Sequence, residues 1–300
     1  MGRVATGKRR RSIAVALPTL AVAASIHGGW LALTWYHAAL PAWLVALAGA
    51  CLIAWHGSLQ HETIHGHPTN DRRLNALIGG VPLALWLPYP IYRRSHLAHH
   101  ATPAITDPLD DPESRYLSGR SGPAAMLLAR LQAPLLGRLL LGPAIAIGGF
   151  LAEEAARAFR RPGEAARDWL PHLAGVAAVL VWLHLCEFAI WRYVLLCAYP
   201  ATALTLLRSF AEHRADRQPG KRVAIVEARG LLALLYLNNN LHAAHHRAPH
   251  LPWYALPSYY ARHRAALLAE NGGLVYRGYA QVIARFLLRP HDVLVHPDHA

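Results

Sequence analysis

Residues 12–60 read SIAVALPTLAVAASIHGGWLALTWYHAALPAWLVALAGACLIAWHGSLQ and run directly into His61-Glu-Thr-Ile-His65-Gly-His67. From Ser12 to Gln60 there is no Asp, Glu, Lys or Arg. One membrane span needs about 20 apolar residues, and this stretch is more than twice as long. It divides into two predicted spans, about 13–36 and 41–60, with a turn at His37–Pro41. The first histidine cluster therefore begins where the second span ends.

The rest of the chain agrees with a membrane reading. Of its 300 residues, 54% are hydrophobic and only 16% charged, with a mean hydropathy of +0.19. Soluble domains carry about 25% charged residues, so the composition argues against a plain soluble globule, and so much apolar surface excludes disorder for most of the chain. Cys51, Cys186 and Cys197 lie in apolar stretches and form no CxxC pair or disulfide framework. A second charge-poor stretch, Leu170–Leu207, holds only Glu187 and Arg192 near its middle. It predicts two more spans, about 170–186 and 190–208. Leu74–Tyr92, interrupted by Pro82, Pro88 and Pro90, and the short Leu139–Ala152 suit re-entrant or interfacial segments better.

The expected fold is therefore an all-α integral membrane protein with four spans and a cytoplasmic helical cap, as a single domain over 1–300. Residues 1–12 form a basic cytoplasmic tail, and 61–168 and 208–300 are the cap segments. Arg3 and Lys8–Arg11 orient the N-terminus inward. All but Arg192 of the 30 Lys and Arg then lie on the cytoplasmic side, as the positive-inside rule expects. A cleaved signal peptide is the competing reading of the N-terminus, but its apolar run continues to Tyr36. In a bacterium the expected location is the inner membrane, with both termini and the active site cytoplasmic. The net charge of +13 comes with no nucleic-acid motif; topology and anionic lipid explain it better.

The chain holds 20 histidines. Four groups fall where spans emerge or just beyond: His61/His65/His67, His96/His99/His100, His213, and His242/His245/His246. Residues three and four apart share a helix face, so His61 with His65, and each HxxHH box as a whole, can point at one centre. With His213 this makes nine imidazoles on one side of the bilayer. Imidazole suits Zn, Cu, Fe and Ni. Nine exceed one ion's needs but suit two ions sharing a bridge, and iron joins imidazole ligation to oxygen chemistry. His67, two residues from His65, is a further candidate at a fraying helix end. His27, His37, His56, His172 and His184 read as packing or interfacial residues; His263, His291, His296 and His299 as surface or tail residues.

Boxes in this order and membrane spacing resemble the membrane fatty acid desaturase superfamily, which includes acyl and carotenoid hydroxylases and ketolases. Thr106-Asp-Pro-Leu-Asp-Asp-Pro-Glu113, Asn238-Asn-Asn and Pro252-Trp-Tyr-Ala-Leu-Pro257 add to the similarity, which covers about 40–260. The resemblance implies two iron ions, with O2 as co-substrate, held by His61, His65, His96, His99, His100, His213, His242, His245 and His246. No catalytic group beyond these ligands is implied. Some relatives place an Asn or a water in the shell, which makes Asn238, four residues before His242, a candidate; an amide cap is its alternative role. Carboxylates that could orient the histidines are Glu62, Asp107, Asp110, Asp111, Glu113 and Glu212. The alternative for 107–113 is a turn salt-bridged to Arg93, Arg94 or Arg115. Trp55, Trp86 and Trp182 are candidates to line a chain tunnel, or to be ordinary packing aromatics.

The first box is the short HxxxH form, and the sequence has neither His-Pro-Gly-Gly nor rubredoxin-like cysteine pairs. Electrons are therefore expected from an external donor, ferredoxin-like or similar, with its reductase. Methylene C–H bonds are unactivated, so a cofactor must break them. Loss of hydrogen from two adjacent carbons gives C=C; replacement of one by hydroxyl gives an alcohol. The leading expectation is a fatty-acyl desaturase acting on a membrane lipid or acyl substrate. A hydroxylase or ketolase of a lipid or carotenoid, or a desaturase of a small amphiphile, would use the same site. A histidine-rich membrane metal transporter or store would instead need polar ligands within the spans.

Overall fold

The computed structural model describes residues 15–300; the basic tail 1–12 and the first two residues of the span expected from 13 lie outside them. The helices run α1 Leu17–Trp35, α2 Ala42–Ile64, α3 Arg72–Gly79, α4 Tyr89–Ala101, α5 Pro123–Leu131, α6 Leu135–Leu140, α7 Gly142–Arg160 and α8 Pro162–Leu185. Then come α9 Ile190–Tyr193, α10 Tyr199–Glu212, α11 Leu231–Leu235, α12 His242–Arg247, α13 Leu256–Glu270 and α14 Tyr279–Phe286. Among the described residues, the regular strands are two two-residue pieces, β1 Ile225–Val226 and β2 Val275–Tyr276, paired in parallel.

Four helices are long and apolar enough to cross a membrane: α1, α2, α8 and the continuous Ile190–Glu212, in which a π-turn at Val194–Ala198 joins α9 to α10. α2 packs against both α1 and α10, while α8 lies against α7 and α4 and meets α9 near their connection. The chain is thus an all-α integral membrane protein.

The spans differ from their expected bounds for physical reasons. α2 continues to Ile64, so His61 rides on the spanning helix itself. α8 begins at Pro162 rather than near 170 and takes in Asp168 and Pro171. A bare carboxylate would be costly there, but Asp168 pairs with Arg94 at 2.6 Å and Arg157 at 2.9 Å. At the π-turn α2 approaches closely: a Cβ on Gly49 would lie 2.4 Å from Cys197 Sγ, so glycine is required by contact.

Neither ambiguous apolar stretch makes a long apolar helix. Residues 74–92 divide into α3, an irregular loop, and α4, which starts with Pro90 in its first turn, where proline's missing N–H costs nothing. The loop's carbonyls are satisfied by span side chains, as irregular backbone in a low-dielectric setting requires. Tyr193 donates to Leu83 O at 2.6 Å while accepting from Trp30 Nε1, and His172 Nε2 lies 3.0 Å from Leu85 O. That gives His172 its structural role. Residues 139–152 fall in α6 and α7, the latter ending in charged turns.

The C-terminal tail is not a loose surface segment. His296 is fully buried and His291 nearly so, contrary to their reading as surface residues. The tail clasps the 104–119 loop: Leu117 N donates to Leu294 O, His296 Nε2 lies 3.1 Å from Thr106 Oγ1, and His299 Nε2 lies 2.8 Å from Asp107 Oδ2.

Candidate metal centre

The ends of α2 and α10 meet α4 and α12, and the nine expected histidines converge there in two groups. His61, His65, His96, His100 and His245 form one; His99, His213, His242 and His246 form the other. Within each, the facing side-chain nitrogens all lie within 4.8 Å of one another.

Helix phase divides the boxes. At 3.6 residues per turn, i and i+4 nearly superpose while i+3 falls on the other side of that line. On α4, His96 and His100 join the first group and His99 the second. On α12 the assignment is reversed: His242 and His246 join the second group and His245 the first. The expectation that a whole box faces one centre is thus corrected: each box straddles two.

The fit to metal follows from which nitrogens face inward. His213 Nδ1 lies 3.3 Å from the Arg222 carbonyl, an obligate acceptor. His242 Nδ1 lies 3.4 Å from both Glu212 Oε1 and Asn239 Oδ1. His96 Nδ1 is 3.2 Å from Glu113, and His99 Nδ1 is 2.8 Å from Asp111. A neutral imidazole has one N–H; donated outward from Nδ1, it leaves an Nε2 lone pair inward. His213 and His242, both so oriented, bring their Nε2 atoms to 3.0 Å, and the other ring nitrogens crowd as closely: His242–His246 3.0 Å, His99–His246 3.3 Å, His65–His96 3.0 Å and His100–His245 3.1 Å. Converging lone pairs repel unless a cation lies among them, so this donor set suits metal ions.

Burial keeps six of these rings neutral and ready to coordinate. It holds His65 and His213 down to about 3 and His100 to about 2, with neighbouring imidazoles adding to the effect. His242, His245 and His246 are likewise driven well below the ordinary value. His99 differs: burial opposes its charge, but Asp111 and nearby carboxylates prevail and raise its pKa. Asp111 is correspondingly lowered, because His99 and backbone donors outweigh its burial. For metal-free protein the consequence has a definite sign. Unfolded histidines take up protons near 6.5 while these folded ones hold out to about 3. Stability should therefore fall as pH drops from 6.5 toward 3. A thermal melt of chelated protein across that window checks this; an unchanged midpoint would contradict it.

Several expected partners lie elsewhere. Asn238 does not reach the histidines: its amide donates to Trp253 O at 3.0 Å. Leu237 and Asn238 have φ of 47° and 57°, which breaks the helix between α11 and α12 and voids the four-residue spacing to His242. Its neighbour Asn239, which the spacing argument missed, instead lies 3.3 Å from His61 Nε2 and 3.4 Å from His242 Nδ1, bridging the groups. A signal for it was the Asn run itself, read without assuming a continuous helix. His67 lies beyond the end of α2 and contacts His250 O. Glu62, one residue out of phase with His61, accepts from Trp253 N. Asp107 holds His299 rather than a converging histidine, and Asp110 is exposed. Asp111, Glu113 and Glu212 do contact the converging rings. The salt-bridged turn is not formed by Arg94, which pairs with Asp168, nor by Arg115, which donates to Phe210 O and His213 O.

Beside the histidines lies a cavity of about 340 Å³, lined by His96, His213 and His242 at one side and by apolar residues such as Ile53, Leu83, Leu87 and Ala201. Of the three candidate tryptophans it takes Trp86; Trp182 instead donates to Thr34. Its size is within the usual range for small-molecule sites.

A family profile described as fatty acid desaturase matches residues 37–280. No curated protein matches the sequence.

Proposed function

The chain belongs to the fatty acid desaturase family, and from that premise we propose that it is an oxygen-dependent di-iron desaturase of a fatty-acyl or similar lipid chain. The observation that carries this reading is the adjacency of an apolar cavity to two groups of inward-facing imidazoles. The first group would hold one iron ion and the second the other, with Asn239 between them. When bound, with dioxygen and two electrons, the iron pair supplies the oxidising power that unactivated C–H bonds require.

The protein's own residues do the rest. Asp111, Glu113 and Glu212 accept the Nδ1 protons and so fix the tautomer and orientation of His99, His96 and His242. The apolar walls align the chain and exclude water. With the basic tail and loops cytoplasmic, the site faces the cytoplasm, where a separate acidic carrier of the ferredoxin type, kept reduced by its reductase, would be attracted by the +13 charge. A bacterial inner membrane is the proposed location.

Hydroxylation at the same site is the second reading, because one set of ligands serves both outcomes. The test is mass spectrometry of lipids from a bacterial host co-expressing the wild-type chain with a ferredoxin and its reductase, against the same host carrying His245→Ala. New unsaturated chains in the wild type alone are the expected result. A hydroxylated product would move the assignment to the second reading. No new product, despite two bound irons per chain and supplied electrons, would remove membrane acyl chains as the substrate.

A further inference from the structure

The cavity beside the histidines has a second pole. Arg138, on α6, and Arg115, which follows the 107–113 turn, both line it, and both also line a small cavity behind it. Arg138 makes no side-chain hydrogen bond or ion pair among the described residues, and its Nε is fully shielded from solvent. Arg115 spends its donors on the Phe210 and His213 carbonyls, the Tyr116 hydroxyl and His291 Nδ1, none of them an anion. Arg115 and Arg138 are half-buried, and other shielded guanidiniums are matched: Arg208 with Glu212, and Arg222 with Asp298. Buried charge is normally paired, since leaving it bare is costly.

From the unmatched Arg138, with Arg115 beside it on the cavity wall, we infer that the cavity binds a single-chain amphiphile by an anionic oxygen group, a carboxylate or a phosphate, seated on these two residues. The planar guanidinium fork fits either group bidentately. Arg115 reaches the Asp292 carboxylate through the Tyr116 hydroxyl, whereas Arg138 has no ion-pair partner among the described residues. Burial and the neighbouring Arg115 push Arg138 down to about 9. Burial, with Arg115, Arg214, Arg138 and Arg285 around it, holds His291 down to about 2. An incoming anion relieves both. With the head group fixed there and the chain lying along the apolar wall past His96 and His242, the reacting carbons are counted from the anionic end. The inference rests on the cavity being the substrate site of the proposed enzyme, and it narrows the substrate to acids or phosphates rather than uncharged lipids.

Binding measured without turnover tests it. Iron-free full-length protein in a sterol-type detergent, which has no alkyl chain to compete, is titrated with labelled dodecanoate, dodecyl phosphate and dodecanol. Wild type is expected to bind at least one of the two anions about tenfold or more tighter than the alcohol, the worth of one charge-assisted hydrogen bond. Arg138→Gln, and Arg138→Met as a second variant of similar stem length, should abolish that preference while retaining alcohol binding, which shows that the cavity is intact. A preference for carboxylate or for phosphate identifies which anion the substrate carries. Equal binding of all three probes to wild type, or an anion preference that survives in both variants, would overturn the inference. Because no iron or electrons take part, those outcomes leave the desaturase reading standing; failure of desaturation with anion binding intact would sink that reading alone.

Discussion

His242→Ala is expected to take one of the two metal ions out of the protein and to end turnover. His242 Nε2 lies 3.0 Å from both His213 and His246, and its Nδ1 faces Glu212 and Asn239, so the second group is built around it. Removing a residue that merely orients a ligand costs about 10–100-fold in metal affinity or activity, so loss of a ligand should exceed about a hundredfold. Elemental analysis should find about one iron per chain instead of two, with product below detection. His245→Ala should do the same from the other group, whereas His263→Ala, on the exposed face of α13, should change neither quantity. Two irons and normal turnover in His242→Ala would refute the assignment of the second group.

The next largest effect is expected from Asp111→Asn. The Asp111 carboxylate is buried, holds His99 Nδ1 at 2.8 Å, and accepts from the backbone N–H of Thr106 and Glu113. The amide keeps the shape but loses the charge that stabilises the His99 proton, and its N–H₂ can face that proton. A loss of about 10–100-fold in iron affinity or turnover should follow. Asp110→Asn, one residue away and exposed, should stay within about twofold, corresponding to the ±0.5 kcal/mol typical of surface changes. Iron-binding titrations and initial rates of the two variants make the comparison. Equal effects would mean that the turn acts by its fold or overall charge rather than through the Asp111–His99 contact.

These two residues also mark how far the chain could be read before folding. The charge-free run from Ser12 to Gln60 and its shorter counterpart from Leu170 determine four spans, because transfer into a membrane depends on local composition. The histidine boxes are equally local: three- and four-residue spacing on a helix puts their rings near one another whatever packs against them. Charge was the feature that misled the span bounds, since Asp168 is tolerated only because Arg94 and Arg157 reach it from other segments.

Tertiary structure decided the rest. Which imidazole joins which group depends on the rotation of α4 against α12, and that is set by packing. Asn239 replaced Asn238 because two left-handed residues break the helix just where a continuous one was assumed. In a run of acidic candidates, only the geometry of one turn separates Asp111 and Glu113, which meet histidines, from Asp107 and Asp110, which do not. Arg138, just before the apolar run 139–152, carries no signal of its own in the sequence. Its significance lies in having no ion-pair partner among the described residues, which becomes visible only once its surroundings are folded.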